Sequence, residues 1–139
     1  MDYKTIINNM RNNLNIHGKR PAIVKGFNEG GIYLGKTRYF VISLKQDAFY
    51  FQGLKRFFNE YDAKNDFEIA FNKIKNIELY HESLCDTIVI YTNDKRYFKC
   101  IFFNNAKGMY ENKVSIDYQL KFLKQNGIKV GGLNGWKEN

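Results

Sequence analysis

The first periodicity along the chain is helical. Tyr3, Ile6, Ile7, Met10 and Leu14 recur at spacings of three and four, which gathers them on one stripe, with Lys4, Asn8, Arg11 and Asn12 elsewhere around the helix. An amphipathic helix over residues 1–17 is predicted, stopped by Gly18 and Pro21 in the turn-rich HGKRP. Beyond it the period falls to two. Ala22–Phe27, Ile32–Leu34, Arg38–Leu44 and Ala48–Gln52 read as short strands separated by NEGG, GK and KQD, whose residues favour turns. An antiparallel meander is the expected result.

After the polar stretch NEYDAKND, Phe67, Ile69 and Phe71 alternate with Glu68 and Ala70, and Ile74, Ile77 and Leu79 mark a turn followed by another strand. DTIVIYT and RYFKCIFF are joined by Asn93, Asp94 and Lys95. A three-residue loop there sets Ile88 opposite Cys100 and Ile90 opposite Phe98, so the apolar set shares one face, and it puts Cys85 opposite Phe103 rather than Cys100, which argues against a disulfide. NKVSIDYQLKFLKQNG then places Ile116, Leu120 and Leu123 on one side of a helix that ends at Asn126 and Gly127. The same alternation turns Phe40, Phe49, Phe51, Phe98 and Phe102 inward and leaves Tyr39, Tyr50 and Tyr97 with outward parity. The C-terminal helix has no apolar surface other than this stripe, which is expected to plug one end of the sheet.

Composition narrows the picture. A chain of 139 residues, 44% hydrophobic with a single proline, is the size of one domain with one core. No run approaches the roughly 18–20 apolar residues that span a bilayer, and MDYKTIINNMRNN lacks the basic-then-apolar order of a signal peptide. A cytoplasmic protein, peripheral at the membrane where it binds lipid, is the expectation. Cys85 and Cys100 have no metal-binding spacing and read as reduced structural thiols, and neither a metal nor a cofactor is expected. The net charge of +8 is uneven: residues 1–58 carry +7, residues 59–94 carry −5 and residues 95–139 carry +6. That distribution gives the folded protein one basic and one acidic pole.

The order of elements, some seven short strands closed by one helix, resembles the pleckstrin homology (PH) superfold, and is most similar to its GRAM-like and bacterial PH-like branch. The carrying stretches are RYFVISLKQDAFYF (Arg38–Phe51), FEIAFNKIKNIEL (Phe67–Leu79) and IVIYTNDKRYFKCIFF (Ile88–Phe103), within a span from Lys19 to Gly127. TNDK stands where the family often has a turn with Asp-Gly-Lys, so Lys95 replaces the usual glycine, and the N-terminal helix is extra. The resemblance implies a mainly β (α+β) fold: a small antiparallel barrel or sandwich of about seven strands, with a C-terminal capping helix. The domain plan is then a helix over 1–17, a PH-like domain over 19–127 and a glycine-rich tail over 128–139 that holds Trp136, read as an anchor folding back or a loose end. The extra helix is expected to cross an open end of the barrel or to contact a second copy, since its stripe needs a partner.

Functionally, the resemblance implies a non-enzymatic module that docks a protein partner or an anionic membrane surface. Lys25, then Lys36 and Arg38 around Thr37, resemble the spacing of the family's inositol-phosphate signature, where Lys and Arg neutralise phosphate, although Lys36 and Arg38 here open the third expected strand. The alternative is single-stranded nucleic acid, through the basic-aromatic runs KTRYF, LKRFF and KRYF, and it ranks behind because most of those rings belong to the core. Catalysis is not expected. His81 lies four residues before Cys85, but no third group in that stretch orients the imidazole; His17 sits at the helix end; Gly18, Gly26, Gly30, Gly31 and Gly35 form no phosphate loop; and Asp62, Asp66 and Glu68 read as a solubilising cluster.

Overall fold

A computed structural model of the chain describes residues 3–13, 18–55, 60–61, 63–103 and 108–133. Helix α1 (Tyr3–Asn13) precedes strands β1 (Lys19–Gly26), β2 (Arg38–Leu44) and β3 (Ala48–Lys55). Two short strands follow, β4 (Glu60–Tyr61) and β5 (Phe67–Ala70), then the long β6 (Ile74–His81), β7 (Cys85–Thr92) and β8 (Tyr97–Phe103). Helix α2 (Tyr110–Gln125) and β9 (Lys129–Gly131) end the fold. The fold is mainly β. Leu14 and His17 of the N-terminal helix, Asp62 and Trp136 lie outside the described residues.

The strands form one sheet in the order β4-β3-β2-β1-β8-β7-β6-β9, with β5 also on β3. Each expected hairpin register holds: Ile88 faces Cys100, Ile90 faces Phe98 and Cys85 faces Phe103. The sheet curls strongly. Strands β3 and β8 are three places apart, about 14 Å in a flat sheet, yet the Phe51 and Phe98 rings lie 5.0 Å apart on its inner side. Phe67 stacks on Phe51 at 4.5 Å, and Phe40 meets Phe98 edge to face, so the core is built from the inward phenylalanines. Gly26 sits where a Cβ would come within 2.5 Å of Phe98, and the rings close over it because it lacks one.

Several expectations need correction. Among the described residues the sheet has nine strands rather than seven, and it is not closed into a barrel: β4 and β5 stand at one edge, β9 at the other, and no pairing joins them. The sheet is also mixed, because β9 runs parallel to β6, pairing Val130 with Ile77. The tail after Gly127 therefore begins as part of the fold, with Val130 and Leu133 buried in the main core. Ile32–Leu34 is not a strand, which makes Arg38 the start of the second strand. Gly30 and Gly31 both take positive φ (92° and 89°), and this turns Tyr33 into the core, where it stacks on Phe67.

Both helices serve the sheet. Ile116, Leu120 and Leu123 of α2 are fully buried in the main core at the sheet's open side, as their spacing predicts. Gly127, at φ 89°, follows the last turn in the left-handed conformation. The N-terminal helix does not span an open end of the sheet. Ile6 and Ile7 are buried against Ile23, Val41 and Leu54, the outward residues of β1, β2 and β3, so α1 covers the outer face of that half of the sheet.

Candidate functional site

Register decides what the three predicted basic residues can do. Lys25 pairs with Tyr39 and shares the outward parity of Ile23 and Val41, while Arg38 pairs with Gly26 and shares the inward parity of Phe40. The two side chains therefore leave β1 and β2 on opposite faces. Lys25 sets its ammonium 5.8 Å from the centre of the Tyr39 ring. Arg38 donates from Nε to the Tyr33 hydroxyl at 2.7 Å, and that hydroxyl donates to the Lys36 carbonyl at 2.6 Å. Arg38 thus braces the β1–β2 connection. Lys36 is exposed in that connection, two residues after Leu34, whose side chain is 74% exposed. The structure does not bring the three onto one face.

The outer face of β6, β7 and β8 is a different surface. On it Tyr80 lies opposite Thr87, Glu78 and Lys99 flank Val89, and Tyr91 faces Tyr97. Tyr80, 49% exposed, and Phe103, 43% exposed, stand on this face, which α1 leaves uncovered. The same face holds a depression of about 420 Å³ lined by Glu29, Tyr80, Glu82, Thr87, Val89, Tyr91, Tyr97 and Lys99. Val89 is buried and forms its floor. The Tyr91 and Tyr97 rings lie 5.8 Å apart at a 46° tilt. Burial, then a hydrogen bond with Tyr80, raises the Tyr91 phenol above its ordinary value, and burial with the neighbouring Glu29 carboxylate does the same for Tyr97.

No protein-family model and no curated protein matches the chain. The site is therefore read from its own chemistry. Tyr97 was visible in the sequence as an outward ring, whereas Tyr91, which the β7–β8 register sets beside it, was not singled out. Glu29 was not visible: it reaches the face because Gly31 bridges to Tyr97 and the Tyr97 amide donates to the Gly30 carbonyl at 3.0 Å, which draws the β1–β2 connection alongside β8.

Other candidates are occupied by structural work. His81 is oriented after all, contrary to expectation: Nδ1 lies 3.3 Å from the buried Asp86 carboxylate, and Nε2 donates to the Gly132 carbonyl at 2.7 Å. Asp86 has inward parity and Cys85 outward, so imidazole and thiol diverge. Asp66 accepts from the Gly53 amide at 2.9 Å and from Tyr50, and Glu68 pairs with Lys45. A second depression, about 520 Å³ beside α2, is lined by Lys19, Leu44, Lys45, Gln46, Tyr118 and Phe122. Of its two lysines Lys45 is held by Glu68 and Lys19 is exposed, while Arg20, next in the chain, lies over the Tyr118 ring at 4.2 Å. Among the described residues no group of His, Cys, Asp and Glu is arranged to hold a metal ion, and no helix is long and apolar enough to cross a membrane.

Proposed function

We propose that the chain is a non-enzymatic binding module of PH-like, GRAM-like build that docks a protein partner through the outer face of β6–β8. The PH-like reading is supported by the meander order, by the return of β8 beside β1, and by a single helix packed over the open side of the sheet. The docking reading rests on one observation. Of the two halves of the outer sheet surface, α1 covers the apolar one, while the β6–β8 half carries exposed Tyr80 and Phe103 and a tyrosine-lined depression. Tyrosine suits a contact surface because it brings large area with few rotatable bonds and a polar tip that tolerates water between encounters.

The test places a photo-crosslinking residue at Tyr80 or Phe103, with controls at exposed Tyr110 and Val114 on α2. One dominant protein adduct from the sheet positions and none from the helix positions is the expected result. Adducts from the helix alone, or to nucleic acid, overturn the reading.

A second reading, docking to an anionic membrane surface, is favoured by exposed Leu34 beside exposed Lys36 in the β1–β2 connection. A wedge of this kind pairs an apolar tip with a cation worth about 1 kcal/mol near the surface. Co-sedimentation with anionic liposomes at low salt decides it: binding lost in Leu34→Asp supports it, and no binding by wild type removes it.

A further inference from the structure

Resting on the docking reading, we propose that the Tyr80–Tyr91–Tyr97 depression recognises a cation, and seats a lysine or arginine side chain from a basic segment of the partner protein. Three aromatic rings surround a buried apolar floor, Val89, and each ring face carries negative potential that attracts a cation within about 6 Å. Two of the rings are set side by side by the β7–β8 register, Tyr91 and Tyr97 lying 5.8 Å apart, on a rigid sheet face. Such pre-organisation lowers the ordering cost of binding. Apolar floor and ring faces match the methylene stem of a long basic side chain, and the carboxylates match its head.

Charge complementarity selects the sign. Glu29 and Glu82 line the depression, and Glu78 stands on the same face next to Val89. The basic residue in the lining, Lys99, sets its ammonium over the Phe27 ring at 5.6 Å. Lys25 and Lys129 share the face but stand toward its two margins, on β1 and β9. The lining itself sets two carboxylates against one ammonium, a local excess of negative charge on a chain of net charge +8. An anionic ligand entering it would meet two carboxylates at close range, whereas a cation gains both ring and carboxylate contacts.

The experiment is a titration of the full, isotopically labelled chain at low salt, followed by amide chemical shifts, with three short Gly/Ser peptides carrying lysines and arginines, glutamates, or no charge. The basic peptide is expected to shift the amides of Thr87, Val89, Tyr91 and Tyr97, and tetramethylammonium to compete with it. The double variant Glu29→Gln, Glu82→Gln should weaken binding roughly tenfold, and Tyr91→Leu roughly three- to tenfold. Tyr91→Phe, which keeps the ring, should bind within about twofold of wild type, and its amide spectrum controls for loss of fold. Equal shifts from the glutamate peptide, or basic-peptide binding indifferent to the carboxylate variants, overturn the cation assignment while leaving the face a docking surface. Shifts confined to other surfaces with every peptide overturn both.

Discussion

Asn112 offers the sharpest test of how the helix is held to the sheet. Strand β1 bonds to β2 along its length, but along its other edge it pairs with β8 only at Lys25 and Gly26. Nearer its start, Ile23 turns its amide and carbonyl toward α2, and the fully buried Asn112 side chain takes both: Ile23 N–H donates to Oδ1 at 2.6 Å, and Nδ2 donates to the Ile23 carbonyl at 2.9 Å. One side-chain amide stands in for the missing strand. In Asn112→Leu the space stays filled while two buried backbone groups lose their partners, at about 1–3 kcal/mol each, so roughly 2–6 kcal/mol is lost. Against a domain stability of roughly 5–15 kcal/mol, that lowers Tm by about 10 °C or more. Asn112→Asp keeps one acceptor but sets a carboxylate oxygen against the Ile23 carbonyl. Burial then raises the folded pKa of that carboxyl above its unfolded value, so the destabilisation is full above the folded pKa and shrinks as pH falls through it. Thermal and urea melts by circular dichroism read both variants. A Leu variant within about 2 °C of wild type would refute the reasoning, because the bonds would then contribute nothing beyond volume.

Three further outcomes follow from single residues. Lys95 holds φ 69° in the β7–β8 turn, so Lys95→Gly should stabilise the protein by about 0.5–1 kcal/mol in urea denaturation; a loss would mean that its side chain contributes more than the backbone strain costs. His81→Ala removes the donor to Gly132 and the contact with buried Asp86, and amide exchange at residues 129–133 should accelerate about tenfold or more while that of β7 and β8 changes little. Burial pushes the Cys100 thiol well above its ordinary value, so a thiolate-seeking reagent at pH 8 should label Cys85 and spare Cys100 until the chain is unfolded; equal native rates would contradict the packing.

Period and register were legible wherever burial is one-sided. The β7–β8 pairing could be written from the sequence because a one-residue slip would drive Ile88, Ile90, Phe98 and Cys100 to the solvent side. The apolar stripe of α2 was equally plain, yet Asn112 and Gln119 on the same stripe carry its polar docking. Gln119 donates to the Arg20 and Ile42 carbonyls, distant partners that no local pattern names. Ile32–Leu34 misled for the opposite reason: its alternation is genuine, but two positive-φ glycines just before it rotate Tyr33 inward, and backbone torsion outweighed side-chain period. Strand β9 has three residues and pairs in parallel, so it depends on where α2 delivers the chain rather than on its own composition. Lys25 and Arg38 met the spacing of a family signature, and the β1–β2 register alone separates them.

Charge pattern and sheet architecture turn out to be one problem. Strands β6 and β7 lie within the segment of net charge −5, and their inward positions, Ile77, Leu79, Ile88 and Ile90, are committed to the core. Alternation leaves the outward positions to carry polar and charged groups, and there Glu78 stands with Tyr80, Val89 and Tyr91. Strands β1–β3 have the reverse composition. Their outward residues Ile23, Val41 and Leu54 cannot face water in a row without cost, and the apolar stripe of α1 covers them. A helix laid instead over β6–β8 would bury the charge of Glu78, while stranding three apolar side chains on the other half. The placement of α1 thus follows from side-chain chemistry: its apolar residues match Ile23, Val41 and Leu54, and not the tyrosine- and glutamate-bearing face of β6–β8.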